Sequence, residues 1–149
     1  MKVLVACALI ATACWGAATS DYPYQPAPLN QVSIRDGFWL PRFETNRRVT
    51  VWANFRKSEE TARIANFARA GKLEKGAFEG IPFNDSDVFK IVEGAAYTLA
   101  AHPDPKLDAY LDALIAKMAA AQEPDGYLYT ARTLGFTNGM TGKERWSNL

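Results

Sequence analysis

Beyond residue 14 this chain has no cysteine, and over its whole length it has a single histidine and almost no net charge. Each shortage closes off some chemistry. Cys7 and Cys14 both fall in the first twenty residues, so the remainder excludes an internal disulfide, a cysteine nucleophile and thiolate metal ligation. His102 stands beside Pro103 in a loop with no cysteine near it. A metal site is therefore not expected, and His102 is given no catalytic role. Lys2 is the one charged residue among the first twenty, and the rest carries equal numbers of basic and acidic groups. No basic field exists to hold nucleic acid or an anionic membrane surface. After the N-terminal segment no apolar run is long enough to span a bilayer. A Gly-rich phosphate loop, a nucleophile elbow and a zinc-protease motif are also missing.

What is present begins with an export signal over residues 1–20. Lys2 supplies its charged start, Val3 to Ala13 its apolar run, and Gly16-Ala17-Ala18 or Ala18-Thr19-Ser20 its small-residue cleavage site. The expected location is outside the cytoplasm, periplasmic or extracellular. Cys14 after Ala11-Thr12-Ala13 offers a competing lipoprotein reading, although Ala11 stands where a larger aliphatic is usual. Residues 21–33, with Pro23, Pro26 and Pro28, read as an extended linker.

Ordered structure is expected after that linker and to be all-α. Val32, Ile34 and Phe38-Trp39 flank a turn at Asp36-Gly37, which predicts a short strand or extended arm laid against a larger body. A helix is predicted from about Asn46 to Ala70, broken near Ser58, with Trp52, Phe55, Ala62 and Ala65 at helical spacing and Gly71 as a positive-φ stop. The clearest periodicity predicts a helix over 87–101. There Val88, Ile91, Val92, Ala95, Ala96 and Leu99 form one stripe. Asp104 then caps a third helix with Pro105 at its first position and Leu107, Tyr110, Leu111, Leu114, Ile115 and Met118 on its apolar face. The short link predicts that these two helices pack as a hairpin. Tyr127-Leu128-Tyr129-Thr130 has strand-like composition, and the residues after it read as loop.

The segment Pro82-Phe83-Asn84-Asp85-Ser86-Asp87-Val88-Phe89-Lys90 is where function is sought. On one reading Asp85 or Ser86 is an N-cap, Asp87 a favourable first-turn charge and Phe83 a hydrophobic staple. On the other, the same helix start opens into a pocket where Phe83 stacks on a sugar and the carboxylates accept from hydroxyls. Capping is the more frequent use of such residues. Asp85 and Asp87 do not suit a glycosidase acid/base pair, because residues two apart at a helix start diverge instead of flanking one bond. Asp87, Lys90 and Glu93 share a face as an ion-pair ladder, read first as solvated. Tyr127, after Asp125-Gly126, suits either a plain turn or a pocket rim.

Several segments together resemble the bacterial β-L-arabinofuranosidases of glycoside hydrolase family 127. They are Asp36-Gly37-Phe38-Trp39 with Pro41-Arg42 and Glu44-Thr45-Asn46-Arg47; Phe83 to Lys90; Glu93-Gly94-Ala95-Ala96-Tyr97; His102-Pro103-Asp104-Pro105; and Gln122-Glu123 with Asp125-Gly126-Tyr127-Leu128-Tyr129. The resemblance implies that residues 34–149 are the N-terminal part, truncated, of an (α/α)6-type barrel catalytic domain. It implies an exo-acting enzyme that releases terminal β-L-arabinofuranose from plant-type glycans with retention. In the family a cysteine nucleophile sits on zinc held by cysteines and a glutamate, and another glutamate is acid/base. None of these can be placed here, so no catalytic or metal residue is assigned, the fragment is expected to bind no zinc, and it is expected to be inactive alone. The partner implied is an oligosaccharide. By the same resemblance Phe83 matches an aromatic of the sugar pocket, Asp85 and Asp87 match residues beside it, and Tyr127 is a weaker match. The alternative is a small exported helical module that binds carbohydrate or a partner without catalysis.

Overall fold

The computed structural model describes residues 24–136. The export signal over 1–20, the lipoprotein reading of Cys14, the first residues of the linker and the loop after residue 136 lie outside the described residues. A turn of 3-10 helix at Leu29–Gln31 is followed by α1 (Trp39–Thr45), a π-helical stretch (Asn46–Thr50), α2 (Val51–Glu60), α3 (Arg63–Ala70), α4 (Asn84–Ala101), α5 (Pro105–Ala121) and the single turn α6 (Thr130–Thr133). Among the described residues there is no strand, as an all-α chain requires.

α3 is the centre of the packing. It meets α2, α4, α5 and α6, and its most extensive partner is α5. Phe55, Phe67, Val88 and Leu107 are fully buried where these helices converge, with Val51, Ile64, Ala95, Leu111 and Leu114 around them. Removing such side chains from water is the main favourable contribution to the fold, about 1.5–3 kcal/mol for each large one. Tyr110 extends the core by lying against Phe55 (ring centroids 4.8 Å) and Trp52 (5.6 Å), and its hydroxyl donates to Glu59 Oε1 at 2.7 Å. Burial and that carboxylate push the Tyr110 hydroxyl far above the usual phenol range, so it stays a donor.

The helical run predicted from about Asn46 starts earlier, at Trp39. Asp36 Oδ1 accepts from the backbone N–H of Phe38 (2.7 Å) and of Trp39, so the Asp36-Gly37 pair leads into a helix where extended chain was expected. Phe38 and Trp39 pack edge to face on each other, with Arg42 over the Phe38 ring, and both remain 55% exposed. No residue of α1 or of the π-helical stretch is buried. The predicted break near Ser58 falls at Thr61-Ala62, where Ala62 adopts φ 59°. Thr61 Oγ1 donates back to Lys57 O at 2.6 Å, closing the last turn of α2.

α5 forms as expected: Asp104 accepts from the N–H groups of Lys106 (3.0 Å) and Leu107 (3.2 Å), and Pro105 occupies the first position. Leu107, Leu111 and Leu114 are buried, whereas Ile115 on the predicted apolar face is exposed. α5 also docks more on α3 than on its hairpin neighbour α4.

The end of α3 corrects the reading of Gly71. Its φ is −76°, so it is not the positive-φ residue. That role falls to Lys72 (φ 59°), with Lys72 N donating to Arg69 O (3.0 Å) and Leu73 N to Ala68 O (2.8 Å), the paired bonds of a Schellman cap. Gly71 is needed for proximity instead: a Cβ there would lie 2.8 Å from Ala120 Cβ and 2.9 Å from the Ala120 backbone carbon. Two neighbouring substitutions should therefore act in opposite directions. Gly71→Ala is expected to lower stability by about 1–3 kcal/mol through overpacking against α5. Lys72→Gly, at an exposed left-handed position, is expected to raise it by about 0.5–1 kcal/mol. Urea unfolding followed by circular dichroism measures both, and a stabilising Gly71→Ala would refute the close approach.

Candidate functional site at the start of α4

α4 begins at Asn84, three residues before the predicted start, and Phe83 occupies the cap position with no side-chain capping bond. This corrects the assignment of the cap to Asp85 or Ser86. The Ser86 Oγ donates to Phe83 O (3.0 Å), while Asp85 and Asp87 sit in the first turn, where the partial positive charge of the helix end favours carboxylates.

The loop leading into α4 is fixed from beneath by two buried asparagines. Asn66 of α3 treats residue 79 as a strand neighbour would, its Nδ2 donating to Glu79 O (2.9 Å) and its Oδ1 accepting from Glu79 N (3.1 Å). Asn84 Nδ2 donates to the same carbonyl at 3.1 Å. Gly80, at φ +98°, leaves room for this: a Cβ there would fall 2.1 Å from Asn84 Nδ2. Arg69 adds a bond from its Nη1 to Ala77 O (2.9 Å) and an ion pair with Glu79 (2.6 Å). The loop therefore delivers Phe83 on a rigid support, with its ring 64% exposed beside the helix start.

The two carboxylates of the first turn go different ways. Asp85 is 4% exposed, with Oδ2 accepting from Thr130 N (2.7 Å) and Oδ1 from Thr130 Oγ1 (2.6 Å). Burial pushes its pKa up, and the two Thr130 bonds oppose that shift without cancelling it. Asp85 thereby caps α6 across 45 residues of sequence. Asp87 turns the other way, to Arg63 Nε of α3 at 3.1 Å and to Lys90 Nζ at 3.8 Å. The expected ladder stops there, because Glu93 accepts instead from the Tyr97 hydroxyl (3.1 Å), which raises the Tyr97 pKa.

Tyr127 is half-buried on the turn that precedes α6. Gly126 N donates to Glu123 O (2.8 Å) with Pro124 inside the turn, and Tyr127 N donates to Asp125 Oδ1 (3.2 Å). Arg132 pairs with Glu123 and lies 5.3 Å from the Tyr127 ring centroid. The Asp85 to Thr130 tie draws this turn to the start of α4, so Phe83, Asp85 and Tyr127 are held on connected parts of one support. Asp87 faces a groove of about 440 Å³ lined by Asn54, Lys57, Ser58, Thr61, Arg63, Lys90 and Ile91. Sequence reasoning did not find Asn66, Thr130 or Arg63. Their partners lie 13 to 45 residues away, and only the mid-helix asparagine was a local signal.

The described residues do not suit the family's zinc. None of them form a group of three or more His, Cys, Asp or Glu able to hold a metal ion, and the buried carboxylate, Asp85, has both oxygens engaged by Thr130. Among the described residues no helix is long and apolar enough to cross a membrane.

Residues 31–149 match the family described as β-L-arabinofuranosidase, GH127 catalytic domain. The chain belongs to that family. Over 68 residues it is 52% identical to the non-reducing end β-L-arabinofuranosidase of Bifidobacterium longum subsp. longum, covering 45% of this chain and 10% of that protein. Among solved structures, the GH127 β-arabinofuranosidase BT3674 superposes with a TM-score of 0.73 at 43% identity, over 85% of this chain and 20% of its own. Ara127N-Se, a GH127 β-L-arabinofuranosidase from Geobacillus stearothermophilus T6, gives 0.67 at 33% identity, over 69% and 17%. The GH127 chain described here thus spans a tenth to a fifth of the length of these relatives.

Asp85 gives the GH127 segment a pH signature. A carboxyl whose pKa is raised by folding binds its proton more tightly in the folded state, so its contribution to stability falls as pH rises through the raised value and is recovered on acidification. Asp85→Asn, which keeps an acceptor for Thr130 N, is expected to change stability at pH 7 by less than about 1 kcal/mol and to remove that dependence. Asp85→Ala strands the Thr130 N–H and is expected to cost about 1–3 kcal/mol. Denaturant midpoints across pH 4 to 8 test both. Parallel profiles for wild type and Asp85→Asn would contradict the assignment.

Proposed function

We propose that this segment forms one wall of the sugar pocket of an exported glycosidase that releases terminal β-L-arabinofuranose from plant-type glycans with retention. The observation that carries the reading is the exposed ring of Phe83, held at a rigid helix start inside a stretch that belongs to GH127. An exposed aromatic on a fixed support offers an apolar face to the C–H side of a furanose at little entropic cost. Asp87 and the Tyr127 hydroxyl are placed on the same support to take part in hydrogen bonding to sugar hydroxyls. Asp85 acts through that support by fixing the α4 start to the Tyr127 turn, which makes it a positioning residue. Zinc belongs to the whole family enzyme on this proposal, outside the residues described.

The chain by itself supplies binding and no hydrolysis. Its first-turn carboxylates face Thr130 on one side and Arg63 on the other, so they cannot flank one glycosidic bond as an acid and a base must. This also favours the second reading, a helical module that binds carbohydrate without cleaving it, for the chain in isolation. The purified chain is expected to show no turnover of an aryl β-L-arabinofuranoside. In a chimera where residues 31–149 replace the equivalent segment of BT3674, Phe83→Ala is expected to lower kcat/KM by about tenfold, the loss of one stacking contact of about 1.4 kcal/mol, with zinc content unchanged. Unaltered kinetics in that chimera would remove Phe83 from the pocket.

A further inference from the structure

The groove between α2, α3 and α4 carries a charge pattern that the neutral sugar arabinofuranose does not need. Lys57, Arg63 and Lys90 line it against one carboxylate, Asp87. Asp87 binds Arg63 through Nε alone, and no hydrogen bond among the described residues engages the two terminal nitrogens of that guanidinium. That leaves a planar pair of donors, the geometry that receives a carboxylate through two parallel bonds. Lys57 is shared only with the exposed Glu60, at 3.2 Å, and a surface pair of this kind holds a lysine weakly.

Ser58 supplies the second observation. It lines the groove at 4% exposure, and no hydrogen bond among the described residues uses its hydroxyl. The residue is buried but its hydroxyl opens into the groove, so a polar group seated there can pair with it. The Asn54 amide lies beside it on α2, and the volume of about 440 Å³ falls within the range of small-molecule sites, well above what a bare inorganic anion fills.

We propose that this groove is a subsite for a uronic acid residue of a glycan, its carboxylate on Arg63 with Lys57 and Lys90, and its ring hydroxyls on Ser58 and Asn54. Asp87 positions Arg63 and Lys90 for that carboxylate. The proposal deepens the glycan reading and rests on it: Asp87 lies four residues after Phe83, so the groove and the Phe83 ring share one helix start, and an acidic sugar in the groove would belong to the same glycan as the sugar on Phe83. The substrate class is then an acidic glycan that bears terminal arabinofuranose.

The test is calorimetric or NMR titration of the full chain with methyl galacturonoside, methyl galactoside and inorganic phosphate at low ionic strength. The uronide is expected to saturate with a Kd of about 1 mM, the neutral galactoside to bind at least about tenfold more weakly, and phosphate to bind no better than the uronide. Lys57→Ala with Lys90→Ala, both at exposed positions, and separately Arg63→Lys, which keeps the charge and removes the fork, are each expected to weaken the uronide by about tenfold while Tm stays within a few degrees. Equal binding of the galactoside, tighter binding of phosphate, or no saturable binding of the uronide would each overturn the subsite. Binding is read without turnover. An inactive BT3674 chimera that still takes the uronide would therefore reject the arabinofuranosidase reading alone, and an active one that ignores it would reject the groove alone.

Discussion

The arrangement of the α4 start depends on the burial of the Asp85 carboxylate against Thr130. A carboxyl at 4% exposure loses most of its hydration, and two donors from one residue offset that loss. Because the donors are the backbone and hydroxyl of the first residue of α6, the same bonds cap a four-residue helix that could not persist unaided. One interaction thus fixes two chain segments 45 residues apart. It leaves Phe83, two residues earlier, on a helix start that is anchored on both sides, by Thr130 and by the asparagines that grip Glu79.

Those asparagines solve a different problem. The loop between α3 and α4 approaches the core with backbone groups that have no helix or sheet to pair with, and buried peptide groups must find partners. Asn66 offers one donor and one acceptor in the spacing of a peptide unit, so a single side chain satisfies both polar groups of residue 79. The crowding this creates explains Gly80, where a side-chain carbon would collide with Asn84. Loop rigidity at the candidate site therefore comes from buried amides, with no need for a disulfide in a chain whose cysteines lie elsewhere.

The helices were legible in the sequence where the signal is local. Asp104-Pro105 predicts the start of α5 because both residues act within one turn of themselves, and the Val88 to Leu99 stripe predicts α4 because burial repeats with the helical period. What escaped was set by distant partners. Gly71 has the composition of a helix stop, yet its lack of a side chain serves contact with Ala120 while Lys72 takes the strained conformation. Asp36-Gly37 reads as a turn, and only the bonds from Asp36 to Phe38 and Trp39 make it a helix start. In the candidate site, Phe83 and the first-turn carboxylates were visible as residue types, whereas Arg63 and Thr130, which decide what those carboxylates do, were not.

Asp85 and Asp87 take different structural parts in this segment, and the helix geometry assigns them. Residues two apart in a helix project about 200° from each other around the axis, so one carboxylate faces inward when the other faces out. The inward one is committed to the fold and is unavailable to a ligand without unfolding α6. The outward one is paired with Arg63 and Lys90 at partly exposed positions, where such bonds are weak and exchangeable. A ligand anion can thus take up the guanidinium edge that Asp87 leaves open while Asp85 goes on holding the helix start beneath it. The division puts the structural contact on one face of the first turn of α4 and leaves the opposite face to the proposed ligand, without requiring either to yield to the other.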